Sequence, residues 1–204
     1  PTAATAAAAA DHSAPAAPAY VLTARRVTGC VLCAVGASHL SFEHLEIGYS
    51  RGTPVSVVDS NYVSFRNVTV RAAGGYGMTV QDGNNCEVVD SEISGVGCRA
   101  LDIIGGNTAS LTPANHSVRG NLIHNYARLH RTYNPGISWG GVGNHFIGNT
   151  IRDAPHAAIL GGGVLNTFEH NTIERVAYEV DDAGAFYTGR SWVERGNVVQ
   201  HNHF

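Results

Sequence analysis

The chain is expected to be all-β, a right-handed parallel β-helix (solenoid) of about six to seven coils. Three observations carry that expectation. A short phrase recurs along the sequence, ending in Asn or a small residue, one further residue, and then Ile or Val. Gly- and Asn-rich breaks separate the copies, and neither heptads nor a long amphipathic helical stretch appears. Self-similarity at a spacing of 20 to 50 residues marks a repeat architecture, and the period-2 alternation within each copy marks half-buried strands.

The copies run in order. They are Phe42–Ile47, Phe65–Val70, Val88–Ile93, Val118–Ile123, Phe146–Ile151 and Phe168–Ile173, with a weaker one at Gly196-Asn197-Val198-Val199. A second short strand follows most copies, as at Met78-Thr79-Val80, Leu101–Ile104, Ile137-Ser138-Trp139 and Ala157–Leu160. The breaks after these strands include Asp82-Gly83-Asn84, Gly105-Gly106-Asn107 and Gly161-Gly162-Gly163, where glycine supplies corner conformations without steric cost. Asn121, Asn149 and Asn171 hold one place in successive copies and predict an internal amide ladder with Asn197 as its fourth member. Phe42, Phe65, Phe146 and Phe168 predict an internal aromatic stack, because adjacent coils lie about 4.8 Å apart.

Residues 1–19 are an Ala/Pro-rich tract without the basic start or Leu-rich centre of a secretion signal, read as a linker or disordered lead-in. Residues 20–204 form the β-helix. The chain closes on His201-Asn202-His203-Phe204 with no capping element, so it is expected to be part of a longer protein. Net charge is −3, which excludes an electrostatic case for nucleic acid, and no segment calls for membrane insertion. All 13 basic residues are Arg, so no lysine nucleophile or base is available.

Cys30 and Cys33 form a C-x-x-C pair, while Cys86 and Cys98 stand alone. One such pair without a second is a weak zinc signal, and structural cysteines of an exported protein are the better reading. Asn67-Val68-Thr69 and Asn115-His116-Ser117 are glycosylation sequons, which makes Asn67 and Asn115 candidate modification sites. Together these features point to an extracellular or cell-surface protein.

Polar residues concentrate after residue 107, in three segments that each follow the closing Ile of a copy: 124–136, 153–159 and 179–192. Stacking places equivalent residues of neighbouring coils side by side, so Arg131, His156 and Asp182 are expected on one groove. Paired carboxylates suit glycoside cleavage, one protonating the leaving oxygen and one attacking or activating water. Asp182 and Asp181 are the candidate carboxylates, with Glu179 and Asp153 nearby, and His156 is a candidate proton relay. Arg131 and Arg190 are candidate orienting groups. Tyr133, Tyr187 and Trp192, with Tyr126, offer flat faces to sugar rings. The plainer readings are turn-capping aspartates, a hydrogen-bonded corner histidine and solvent-facing arginines. No metal cluster is evident and no cofactor is expected, although Ca2+ on Asp181 and Asp182 fits their chemistry.

Asp182–Trp192, Arg195–Val199 and Ala154–Ile159 resemble extracellular β-helix proteins of the pectin-lyase-like superfamily. The nearest group by these motifs is the β-helix glycoside hydrolases that include α-L-fucosidase-type enzymes. The resemblance covers roughly residues 115–204. It implies a carboxylate at Asp182 and a second some coils downstream, where this sequence has already ended. The expected function is therefore a carbohydrate-active module that hydrolyses or binds a polysaccharide or glycan in a groove of coils 124–192. The alternative is a non-catalytic structural or adhesive solenoid in contact with other domains or chains of a larger surface assembly.

Overall fold

A computed structural model describes residues 20–23 and 29–204. The Ala/Pro-rich tract at 1–19 lies outside the described residues. Every strand pairing in the sheets is parallel, and the chain winds through three faces per coil. The first face stacks Leu32–Val35, the start of Val55–Arg66, Met78–Asn84, Leu101–Gly105, Ile137–Val142, Ile159–Val164 and Phe186–Thr188. The second stacks Ser38–Glu43, the end of Val55–Arg66, Glu87–Val89, Ser117–Arg119, His145–Ile147, Thr167–Glu169 and Val198–Gln200. The third holds seven strands, Tyr20–Thr23, Leu45–Gly48, Thr69–Arg71, Glu92–Ser94, Leu122–His124, Thr150–Ala154 and Thr172–Val176.

The core follows from alternation within each strand. Ile47, Val70, Ile93, Ile123, Ile151 and Ile173 form one buried column, none more than 3% exposed. Burying each such side chain stabilises by roughly 1.5–3 kcal/mol. The predicted aromatic stack exists as two separate pairs. Phe42 lies on Phe65 with ring centroids 5.0 Å apart, and Phe146 on Phe168 at 4.8 Å. Val88 and Val118 occupy the same column between them.

The polar residue before each ladder position has a conformational reason. His44, Asn67, Asp90, Gly120, Gly148, His170 and His201 all have φ between 49 and 66°. This left-handed corner favours Gly, Asn, Asp and His over branched side chains. The equivalent corner between the first and second faces is also left-handed, at His39, Tyr62, Asn85, Asn115, Gly143, Leu165 and Gly196.

The asparagine ladder is present, with one correction. Asn149 accepts at Oδ1 from the Asn121 backbone N–H at 3.1 Å and side-chain amide at 2.9 Å. It donates from Nδ2 to the Val118 carbonyl at 3.0 Å and to Asn171 Oδ1 at 2.9 Å. Asn171 repeats the pattern onto Asn202, not Asn197. Asn197 belongs to a second ladder one strand earlier, in which the His116, Asn144 and Asn166 backbone N–H groups donate to the side chains of Asn144, Asn166 and Asn197. Both corners flanking the second face use a left-handed residue followed by Asn. A Gly-Asn pair in the sequence therefore fits either corner, and strand register alone decides between them.

Both ladders change chemistry toward the N-terminal coils. Ser91 takes the first ladder's place, its Oγ accepting from the Val68 N–H at 3.0 Å and donating to the Val89 carbonyl at 2.8 Å. His116 heads the second, its Nδ1 accepting from the Cys86 N–H at 3.2 Å. Cys30 and Cys33 are joined by a disulfide with Cα atoms 5.7 Å apart, and Cys86 and Cys98 are free thiols whose pKa burial raises.

Replacing Asn149 by Ala strands the Asn121 N–H and the Val118 carbonyl in a dry interior. The expected loss is about 3 kcal/mol or more by calorimetry, because each orphaned buried group costs about 1–3 kcal/mol. Asn149→Ser should cost less, as Ser91 serves the same column.

Burial holds the His116 imidazole neutral, its pKa lowered to about 4. A folded-state pKa below the unfolded value contributes stability that is complete above about pH 6.5 and lost as pH falls toward 4. Up to about 3 kcal/mol should disappear across that window at 1.36 kcal/mol per pKa unit. His116→Asn, which extends the ladder with a non-titrating amide, should flatten the unfolding profile there.

Candidate functional site

The corner that follows the third face is left-handed in every described coil from the second onward. It is occupied by Tyr49, Ala72, Gly95, Asn125, Asp153 and Arg175. Beyond Tyr49 the occupant grows along the axis, from Ala72 and Gly95 to Asn125, Asp153 and Arg175. A Cβ on Gly97 would come within 2.2 Å of the Gly74 carbonyl, so the backbones of two coils approach closely at this point. The result is an open groove along the solenoid axis. One portion, of about 200 Å³, runs past Ala72, Gly74, Gly95, Gly97 and Leu129. The next, of about 380 Å³, lies among His124, Asn125, Arg131, Asp153, Pro155 and Tyr178. Gly95 and Arg128 line both, so the two portions adjoin where Arg128 reaches over Gly95. From the Ala72 coil to the Arg175 coil it crosses four coil steps, about 19 Å at the strand spacing.

The polar groups along this groove are fixed by one another. His124 places Nε2 at 3.2 Å from Glu92 Oε1, with Nδ1 at 2.9 Å from the Asn125 amide. Arg131 and Glu179 form a bidentate pair between two segments 48 residues apart. The guanidinium holds the Glu179 carboxyl below its ordinary range. Asp153 accepts from Arg175 Nε at 2.6 Å and from Arg152, and these partners lower its pKa to about 2. The carboxylates of Asp153 and Glu179 are thus held as anions. Such groups suit acceptance of hydrogen bonds from hydroxyls, whereas a general acid needs a raised pKa. Arg128 reaches the Gly95 carbonyl at 3.4 Å and has no carboxylate partner among the described residues.

The residues predicted from sequence divide into three places. Arg131 lines the groove. Tyr133, 60% exposed, lies over His156 with ring centroids 5.4 Å apart. His156 is buried, its Nδ1 has no hydrogen-bond partner, and burial lowers its pKa. Asp181, Asp182, Tyr187, Arg190 and Trp192 belong to the last coil and do not line the groove. Asp182 is 81% exposed, with Arg190 at 3.9 Å. Tyr187 pairs in register with Leu160 on the first face, and Trp192 is 97% exposed. The expected meeting of Arg131, His156 and Asp182 is therefore not formed along the groove. Arg131 is taken instead by Glu179, which follows the left-handed corner at Arg175.

Two further corrections concern aromatic and acidic groups. Tyr126 is a core residue, 1% exposed, donating from its hydroxyl to the Ala157 carbonyl at 3.0 Å, and burial pushes its phenol pKa up. Its ring offers no face to a ligand. Sequence reasoning passed over Asp102, which is 3% exposed although its strand neighbours Leu101 and Ile103 point inward. Arg99 pairs with it at 2.8 Å and donates to Ser138 Oγ at 3.0 Å, and Tyr76 packs 4.7 Å from the guanidinium. His124 was also missed. Its signal was Glu92 on the strand of the coil before it, in register with Leu122 and so diagonal to His124 on the same face.

Both sequon asparagines are exposed at left-handed corners. Among the described residues no group of three or more His, Cys, Asp or Glu side chains is placed to hold a metal ion. No described helix is long and apolar enough to cross a membrane.

The sequence matches the family described as "Right handed beta helix region" over residues 22–123 and 55–204. The chain belongs to this right-handed β-helix family. No curated protein matches it in sequence. Among solved structures it is similar to the Azotobacter vinelandii mannuronan C-5 epimerase AlgE6 A-module, with 14% identity, a TM-score of 0.50, and coverage of 81% of this chain and 58% of that one. The AlgE4 A-module of the same organism shows 10% identity and a TM-score of 0.40 over 68% of this chain and 53% of that one. The chain thus spans little more than half the length of either module, and the likeness to the AlgE6 A-module is one of fold.

Tyr133 shields His156 from water. Tyr133→Ala should therefore move the His156 imidazole titration upward toward the ordinary value near 6.5, followed by NMR of the ring C–H protons.

Proposed function

We propose that this β-helix binds a polysaccharide or glycan lengthwise in the corner groove between Ala72 and Tyr178. The succession of polar groups along the axis, across two adjoining depressions, carries the reading, because an extended polymer needs partners at successive steps. Arg128, the Arg131–Glu179 pair, Asp153 and the His124–Glu92 pair supply donors and acceptors in turn. Tyr178, 61% exposed, supplies a ring face at one end. Groups locked by mutual contacts lose little freedom on binding, which favours affinity.

Hydrolysis is the finer reading, and the glycoside-hydrolase resemblance around Asp182 is what supports it. Binding fits the groove better, since Asp153 and Glu179 are both held ionised. A location outside the cell accompanies the proposal, supported by the Cys30–Cys33 disulfide and the exposed sequons at Asn67 and Asn115.

The test is affinity electrophoresis of the purified chain through gels containing neutral or acidic polysaccharides. At least one polymer should retard the protein. Arg128→Ala and Tyr178→Ala should each weaken retardation several-fold while leaving the unfolding temperature unchanged, as both side chains are surface groups. Retardation by no polymer would favour the structural-rod reading. Release of reducing ends that is abolished in Asp182→Asn would establish hydrolysis.

A further inference from the structure

A second groove, of about 540 Å³, opens on the second face, among Tyr62, Asn115, Ser117, Arg119 and His145. Tyr62 sits at its edge, 51% exposed, with its ring parallel to that of His39 at a centroid distance of 4.7 Å and an interplanar angle of 5°. Stacking on the preceding coil fixes one ring face and leaves the other turned along the axis. The next residues of the same corner column are Asn85, Asn115 and Gly143, so the space beyond the ring is bounded by short side chains and then by none.

Beside this column runs the outward row Glu87, Ser117 and His145, in register on adjacent strands. Glu87 contacts Arg66 at 2.9 Å and Arg119 at 3.5 Å, and Asp90 lies 3.9 Å from Arg66, so two carboxylates offset two guanidinium groups and the groove carries little net charge. The Tyr62 hydroxyl, the Asn115 amide, the Ser117 hydroxyl and the His145 ring make no hydrogen bond to any described residue. A rigid aromatic plane bordered by unpaired donors and acceptors selects among ligands. A purely apolar molecule would leave the polar groups unmatched, and an ion would find no uncompensated charge. A polyhydroxylated ring with one apolar face satisfies both features. From the Tyr62 coil to the His145 coil is three steps, about 14 Å at the strand spacing, the scale of a short oligosaccharide.

We propose that this groove is a second carbohydrate-binding site, for a neutral hexose or N-acetylhexosamine unit stacked on Tyr62. It shares no residue with the corner groove and does not rest on the function proposed for it. The sugar has two sources: a free glycan, or the chain's own glycan on Asn115, whose side chain stands inside the groove.

The experiment follows the Tyr62 and His145 ring signals by NMR while chitotetraose or cellotetraose is added to protein made without glycosylation. At least one probe should shift both rings. Tyr62→Asn should weaken that binding at least 10-fold without lowering the unfolding temperature, since Asn occupies this left-handed corner in the next two coils. Absence of shifts with both probes overturns the proposal, as does unchanged affinity in Tyr62→Asn. Protein from a glycosylating secretory host separates the sources by peptide mass analysis at Asn115. A glycan there together with lost probe binding identifies the chain's own sugar. A bare Asn115 with the probe still bound identifies a free one. A glycan at Asn115 with probe affinity unchanged also overturns the proposal.

Discussion

The structure depends on the satisfaction of buried amides at two corners of each coil from Ser91 and His116 onward. A parallel solenoid must turn tightly three times per coil, and each turn leaves backbone N–H and C=O groups outside the sheet ladders. At the two corners flanking the second face, Asn side chains stand in for the missing partner and pass hydrogen bonds from coil to coil. The chain direction, the coil spacing and the left-handed residue before each Asn all serve that geometry. Where Asn gives way to Ser91 or His116, the same backbone demand is met by a different acceptor. His116 meets it only while neutral.

The third corner lacks such a ladder, and the candidate site lies there. Relieved of an internal amide column, its left-handed position accepts Ala72, Gly95, Asn125, Asp153 and Arg175 in turn. Loops after residues 95 and 125 cross the corner and bring Arg128, Leu129 and Arg131 alongside it. Charges that are scattered in sequence then pair across coils, as Arg131 does with Glu179 and Arg175 with Asp153. These pairs are half exposed, so they contribute little to stability and serve chiefly to fix a polar surface.

Much of the scaffold was legible because it repeats. The Ile column, the aromatic positions and the ladder at Asn121, Asn149 and Asn171 recur with enough regularity to be read directly. The site was less legible because it is where repetition fails. Asn197 was assigned to the wrong corner, since the Gly-Asn signal is shared by two corners. Tyr126 looked like a surface ring because its neighbours are polar, yet a single hydrogen bond to Ala157 takes its hydroxyl into the core. Asp182 drew attention by motif, and no neighbouring coil covers it.

The sequence by itself determined the all-β architecture, the coil period and the residues that fill the interior, because packing identical positions at a fixed spacing leaves a periodic trace. Only the tertiary structure decided which polar residues face one another. Coil lengths vary from 22 to 31 residues between successive ladder amides, so equal offsets in sequence do not become equal places in space. A change of one residue in a corner loop moves a side chain to another face. Register, and not spacing, therefore placed Glu179 rather than Asp182 opposite Arg131, and Asn202 rather than Asn197 beneath Asn171.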